Sequence, residues 1–292
     1  MADFSNIDGL PPLRDVIAAH GLSAQKALGQ NFLLDLNVTA KIVRLAEQAR
    51  GPDGFAGVHV IEIGPGPGGL TRALVKSGAR GVSAVEFDRR AVDALQGLEA
   101  AAAGRLVIVQ GDALETDLTG LCEAPRAIVA NLPYNIATPL LLGWLSQVRA
   151  DPQAFSSMSL MFQKEVAARI TAGLGSKAYG RLSVMAQWLC KVGRLMDLPP
   201  SAFTPPPKVV SSVVHFMPRV LDSDAPSFQA VERVTAAAFN QRRKMIRTSL
   251  KDYMAGVEAL GLDPQARAEE LGVQDFVKLA CFHDFDVKHK KN

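Results

Sequence analysis

Three segments in the first half of the chain put chemically capable side chains at the ends of apolar runs. Val60-Ile-Glu-Ile-Gly-Pro-Gly-Pro-Gly-Gly69 runs from β-branched residues into glycines, and Gly64, Gly66 and Gly69 satisfy G-x-G-x-x-G. That pattern supplies a sharp turn, close approach of the backbone to a ligand, and a helix N-terminus aimed at it. About 20 residues further on, at the distance expected of a ribose acid, a second run ends at Glu86, whose carboxylate can accept hydrogen bonds from both hydroxyls of a ribose. A third run ends in Gln110-Gly-Asp-Ala113, where Asp112, with Ala113 beside it, can accept from an adenine amino group. Three such run ends fit a nucleoside-containing cofactor. The glycine turn alone suits a nicotinamide dehydrogenase as well as an S-adenosylmethionine (SAM) enzyme.

A fourth run ends in Ala130-Asn-Leu-Pro-Tyr134. These residues answer the difficulty of methylating an exocyclic base amine, whose nitrogen lone pair is delocalised into the ring. The side-chain carbonyl of Asn131 and a backbone carbonyl, of Leu132 or Pro133, can accept the two N–H bonds. Together they hold the nitrogen toward a methyl donor and favour its pyramidal form. Pro133 stiffens the turn, and Tyr134 offers a face on which an extracted base can stack. No general base is needed before attack, because the proton can leave once the nitrogen is cationic. A dehydrogenase leaves Asn131–Tyr134 unexplained, and no acid/base pair for it lies near the glycine loop.

The elements that must carry these residues follow from periodicity. Strands are predicted at 58–63, 82–87, 106–110, 127–130 and 158–162, with helices at 38–50, 69–77, 89–103, 138–148 and 164–171. Alternating strands and helices imply a parallel sheet covered on both faces. Residues 1–30 read as a polar lead-in. Leu198–Pro207 is too rich in proline for a helix, and Val209–Phe216 reads as a further strand. Beyond the polar linker Asp222–Pro226 the pattern is helical, so a domain boundary is placed near 220: residues 1–220 for the sheet domain, and 221–292 for a helical RNA- or ribosome-binding domain ending in a frayed basic tail, Lys288–Asn292.

Composition bounds the rest. The longest nearly apolar stretch, Ile136–Leu145, is about half the length a bilayer demands, and Met1–Leu10 carries two aspartates and no basic start, so neither a membrane nor a secretory route is expected. Three scattered cysteines fit a reducing cytoplasm, and the five histidines show no metal-binding spacing, so no metal is expected. Net charge is +3 with pI near 8.8, which permits a nucleic-acid partner. The basic residues concentrate: Arg242, Arg243, Lys244, Arg247 and Lys251 fall between Asn240 and Lys251 with no acid among them. Read as one helix, the segment puts Phe239, Ile246, Leu250 and Tyr253 on an apolar stripe and Lys244, Arg247 and Lys251 on a cationic one, suited to RNA phosphates.

Taken together the segments resemble the ribosomal RNA adenine N6,N6-dimethyltransferase family, most closely its bacterial small-subunit (16S) members. The resemblance runs through Leu28-Gly-Gln-Asn-Phe-Leu33, Glu62–Gly66, Glu86-Phe-Asp88, Gly111–Ala113, Asn131–Tyr134, Gln163–Val166, Tyr179–Ser183, Phe203–Val209 and Phe239–Lys244. It implies a Rossmann-like α/β SAM-dependent methyltransferase sheet of seven strands with a small all-helical C-terminal domain. It also implies SAM as cofactor, with Asn31, Leu33, Gly64, Gly66, Glu86, Asp112, Ala113 and Asn131 at its site. Asn31 and Leu33 rest on the resemblance alone. The substrate implied is 16S rRNA, within the small ribosomal subunit or its precursor, dimethylated at two adjacent adenosines of the 3′-terminal hairpin. A cytoplasmic location, from the cysteine usage, and a monomer are expected beside it. Phe203, ahead of a proline run, is read either as a packing residue or as a fixed platform stacking on the target base opposite Tyr134. Two rivals share most of these features: a large-subunit rRNA methyltransferase of the resistance type, and an assembly factor that holds SAM without catalysis.

Overall fold

The structure, a computed structural model, describes residues 5–22 and 30–289. Met1–Phe4, Leu28 and Gly29 of the N-terminal motif, and the last three residues of the basic tail lie outside them. Helices α1 (Ser5–Asp8) and α2 (Leu13–Ala19) precede a short strand β1 (Phe32–Leu33) and helix α3 (Leu36–Arg50). Then β2 (His59–Ile63), α4 (Gly69–Val75), β3 (Gly81–Glu86), α5 (Arg89–Ala101), β4 (Leu106–Gln110), β5 (Arg126–Ala130), α6 (Ala137–Ala150), β6 (Ser157–Gln163) and α7 (Lys164–Ile170) follow one another. The chain continues through α8 (Arg181–Leu189), β7 (Cys190–Leu198), β8 (Phe203–Thr204) and β9 (Ser211–Pro218) to α9 (Phe228–Asn240), α10 (Ile246–Ser249), α11 (Met254–Ala259) and α12 (Val273–His289).

Seven strands form one sheet in the order β4-β3-β2-β5-β6-β9-β7, while β1 and β8 pair antiparallel by themselves. Strands β4 through β6 are parallel; β9 runs antiparallel to β6, so the sheet is mixed rather than wholly parallel. The chain builds outward from β2 in one direction and then, from β5, in the other. Open α/β sheets bind ligands at this reversal, beyond the strand C-termini.

Local chemistry explains the elements nearest it. Asp35 caps α3 by accepting from the Asn37 amide (2.8 Å), and Thr39, Ile42, Val43 and Ala46 form its buried stripe. Asp88 caps α5 through the Arg90 amide (3.0 Å), and Ala91, Leu95 and Leu98 bury at helical spacing. Strand β3 is buried along its whole length, as expected of a strand with neighbours on both sides and helices on its faces.

Three stretches differ from the sequence reading. The lead-in is structured: Ile7 and Leu13 are buried, and the Arg72 guanidinium donates to the Pro11 carbonyl (2.7 Å). Helix α8 and strand β7 are not announced by periodicity. The first is buried nearly all round and so lacks a polar face; the second is an edge strand interrupted by Gly193 and carrying Lys191, Arg194 and Asp197. The basic segment is not one helix. Helix α9 stops at Asn240, a turn follows, Met245 bridges to Arg267, and only then does the four-residue α10 begin.

The chain divides into two compact units, one comprising Met1–Trp144, Gln153–Lys164 and Gly193–Met217, the other Leu145–Pro152, Glu165–Val192 and Pro218–Asn292. The second therefore draws α7 and α8 from the middle of the chain, and a single cut near 220 marks one crossing among several. Within it, Phe239 lies edge-on to Tyr179 (ring centroids 6.1 Å apart) and against Phe276 (5.4 Å).

Candidate active site

Strands β2, β3, β4 and β5 end at one edge of the sheet, around an open cavity of about 250 Å³ within the first unit. Every residue expected at a cofactor, Asn31, Leu33, Gly64, Gly66, Glu86, Asp112 and Ala113, lines it, and so do Asn131, Leu132, Pro133 and Tyr134.

The glycine loop is shaped by contacts that exclude side chains. Gly66 has φ +55° and a Cβ there would lie 2.9 Å from the Phe32 ring; at Gly69 it would lie 2.3 Å from the Leu33 carbonyl oxygen. Strand β1 thus rests directly on the loop, which brings Asn31 to the cavity wall.

Glu86 is buried at the end of β3. Its Oε2 accepts from the Gly66 amide (3.1 Å) and its Oε1 from the Asp88 amide (2.8 Å). Burial raises its pKa, against the opposing pull of the Asp88, Gly66 and Phe87 amides. The carboxylate therefore ties the glycine loop to β3 and keeps acceptor capacity on both oxygens. Asp112 is fixed by an Asx turn, its Oδ1 accepting from the Leu114 amide (2.9 Å). Phe87 and Leu114, 66% and 52% exposed, give the same cavity an apolar flank suited to a flat heterocycle.

Glu62 lies inside the glycine motif, and sequence reasoning gives it no role. It lines the cavity at 1% exposure, its Oε2 has no hydrogen-bond partner, and burial, with Glu86 nearby, pushes its pKa up to about 8. A carboxylate inside the otherwise apolar run Val60–Ile63 is the feature that could have marked it.

At the end of β5, Asn131 Nδ2 donates to the Asn31 carbonyl (2.9 Å), which leaves Oδ1 as the end of the amide that receives a donor. The Pro133 carbonyl already accepts from the Ile136 amide (3.2 Å). Of the two backbone acceptors considered, the Pro133 carbonyl thus has one of its two lone pairs engaged in the turn. Tyr134 is half-buried and hydrogen-bonded through its hydroxyl to Ser211 Oγ (2.5 Å); burial raises its pKa above the usual phenol value, so the ring stays neutral.

The platform reading of Phe203 is corrected. The residue sits opposite Leu33 in the β1–β8 pair, is 3% exposed, belongs to the hydrophobic core and does not line the cavity. In this structure the ring packs into the core.

The basic residues also divide. Arg242 donates to the carbonyls of Lys177 (2.9 Å) and Tyr179 (2.7 Å) and faces Glu269 at 3.7 Å, so its charge is used inside the second unit. Arg243, Lys244, Arg247 and Lys251 are exposed, while Ile246 and Leu250 are buried beside them. Among the described residues no group of three or more His, Cys, Asp or Glu side chains could hold a metal, and no helix is long and apolar enough to cross a membrane.

Comparison with known proteins decides the family. The model for ribosomal RNA adenine dimethylase matches residues 21–284, nearly the whole chain. The chain belongs to that family. Among relatives, it is 55% identical over 277 residues to "Ribosomal RNA small subunit methyltransferase A" of Rhodospirillum rubrum, covering 94% of this chain and 92% of that protein. The protein of the same name from Azorhizobium caulinodans is 55% identical over 281 residues, with 94% of each chain covered. A dimethyladenosine transferase from Plasmodium falciparum shares the fold at TM-score 0.70 and 24% identity, covering 87% of this chain and 97% of its own. The 23S rRNA methyltransferase ErmE does so at 0.63 and 23%, covering 86% and 98%. This adenine dimethylase is accordingly a SAM-dependent methyltransferase with a Rossmann-like sheet.

Proposed function

We propose that this chain transfers methyl groups from SAM to N6 of two adjacent adenosines in the 3′-terminal hairpin of 16S rRNA, giving N6,N6-dimethyladenosine. The observation that carries the chemistry is the orientation of Asn131: its amide nitrogen is committed to the Asn31 carbonyl, which leaves its oxygen as the acceptor end, and the residue lines the cavity that Glu86 also lines. The names of the relatives support a small-subunit substrate over a large-subunit one.

The residues present fit the cofactor. Glu86 offers carboxylate acceptors for a ribose diol, Asp112 and the apolar flank of Phe87 and Leu114 suit adenine, and the orphaned Glu62 Oε2 suits a cationic group. When bound, SAM supplies an electrophilic methyl group at a sulfonium centre. The chain's own part is to hold the amine. Asn131 Oδ1 and a backbone carbonyl, of Leu132 or Pro133, accept its two N–H bonds, Tyr134 stacks on the base, and the acceptors strengthen as positive charge develops on nitrogen. The proton leaves afterwards to solvent, so no side chain need act as base.

RNA is held outside this pocket. Arg243, Lys244, Arg247 and Lys251 offer exposed cations for backbone phosphates, which fix position while the pocket reads the base. In this reading the enzyme acts as a cytoplasmic monomer on the small subunit or its precursor, and the RNA grip belongs to the part of the chain beyond residue 220. Incubation of the chain with labelled SAM and undermethylated small subunits and, in a parallel reaction, with large subunits, followed by nucleoside analysis, tests it. N6,N6-dimethyladenosine in the small-subunit RNA is expected; label only in the large-subunit reaction, or binding without transfer, would overturn it.

A further inference from the structure

The hydroxyl pair between Tyr134 and Ser211 joins the proposed catalytic loop to β9, which runs antiparallel to β6. Ser211 opens β9 and lies opposite Gln163, the last residue of β6, in the antiparallel register. It is fully buried, and the Oγ–Oη separation is 2.5 Å. The start of β9 is itself anchored on both sides. The Lys164 amide donates to the Val210 carbonyl (2.9 Å), and the adjoining Ser212 Oγ donates to Asp197 Oδ1 (2.7 Å). Asp197 in turn pairs with Lys164 Nζ (2.9 Å). Three strand ends, those of β6, β7 and β9, thus meet beside Ser211 and leave it little freedom.

Tyr134 has the opposite situation. It follows Pro133 on a loop, and its hydroxyl carries the hydrogen bond that ties the side chain to another element. A tyrosine fixed at Cα and at Oη cannot swing about its first side-chain torsion, so the pair sets where the ring lies relative to Asn131, three residues earlier.

We propose that Ser211 is a positioning residue for the target adenine: by holding the hydroxyl of Tyr134 it fixes the ring on which the extruded base stacks, and so aligns the base amine with Asn131. This rests on the stacking role given to Tyr134 above. The selectivity of the effect follows from the geometry. Ser211 does not line the cofactor cavity and its neutral hydroxyl is committed to Tyr134, so the alignment of bound base is what depends on it.

The test uses the full chain and undermethylated small subunits at saturating SAM. Ser211→Ala and Tyr134→Phe each remove the bond from one side. Each is expected to lower kcat about five- to tenfold, the rate equivalent of one neutral hydrogen bond. KM for subunits and the SAM Kd should stay at the parent values. The double variant should fall no further than the worse single one, because the same bond is removed in all three. A merely structural hydroxyl pair would lower thermal stability without this split. A parent-like kcat in Ser211→Ala, additive losses in the double variant, or a loss expressed in KM or SAM affinity overturns the inference. Tyr134→Phe makes the same cut if Ser211→Ala does not fold. Tyr134→Ala separates the two levels: a parent-like rate there removes the stacking role itself, whereas a large loss there with a normal Ser211→Ala removes only the part given to Ser211.

Discussion

Replacing Glu86 by glutamine keeps the shape of the side chain and removes its charge. In the structure each carboxylate oxygen accepts one backbone N–H, Oε2 from Gly66 at 3.1 Å and Oε1 from Asp88 at 2.8 Å. A carboxamide keeps one of these acceptors and turns an NH₂ group toward the other donor. It also replaces the ionised acceptor for the ribose diol by a neutral one. A hydrogen bond to a charged group contributes about 1.5–3 kcal/mol, so SAM affinity should fall by about one to two decades. The fold should survive the change. Burial already disfavours the ionised form of Glu86, so removing the charge relieves a desolvation cost. Isothermal titration of the purified variant with SAM, alongside a thermal melt without it, reads both quantities. Unchanged SAM affinity in a folded variant would refute the assignment of Glu86 to the ribose. A lost melt would instead mean that the carboxylate is needed to hold the glycine loop.

Two further perturbations follow from the same geometry. Glu62 has a folded pKa raised to about 8 by burial, so between its ordinary value of 4.5 and that figure the folded state holds a proton the unfolded state has released. Stability without cofactor should therefore decline as pH rises through this window, by up to about 1.4 kcal/mol per pH unit. Glu62→Gln, which does not titrate, should escape this decline and gain on the parent in urea unfolding as pH is raised from about 5.5 to about 8.5; parallel curves would refute the shift. Changing Arg243, Lys244, Arg247 and Lys251 to glutamine should weaken subunit binding and flatten its salt dependence by about 0.7–0.9 in slope for each phosphate no longer neutralised, with SAM titration unaffected; an unchanged slope removes them from the RNA face.

Much of the sheet was legible because each parallel strand ends abruptly where its chemistry begins. Ile63 gives way to glycines, Val85 to Glu86, Val109 to Gln110 and Ala130 to Asn131, so the polar residues and glycines at or next to the cavity also mark the strand ends. What resisted reading has physical causes. Helix α8 is enclosed on nearly every side, so Ser183, Val184, Met185, Ala186, Trp188 and Leu189 show no polar face for periodicity to detect. Strand β7 lies at an edge, where charged residues and a glycine are tolerated. Ile246 and Leu250 fit a helical stripe with Phe239 only by coincidence of spacing, because a turn and a bridge at Met245 separate them from α9. Arg242 looked like its neighbours because its partners are carbonyls of Lys177 and Tyr179, more than sixty residues away, where no sequence pattern reports them. Phe203 was ambiguous for the same reason: its burial depends on the pairing of β8 with β1 across the chain.

The proposed mechanism turns on Asn131 acting on the amine as charge develops there, with its amide nitrogen anchored on the Asn31 carbonyl at 2.9 Å and its oxygen left as the acceptor. Single-turnover methylation of undermethylated small subunits by Asn131→Ala, with SAM at saturation and subunit binding measured in parallel, addresses this directly. Losing one such preorganised partner costs about 10²–10³ in rate, so the rate should fall by that factor while subunit affinity stays near that of the parent. A near-normal rate at saturating SAM, or a loss of subunit binding that accounts for the whole defect, would contradict it.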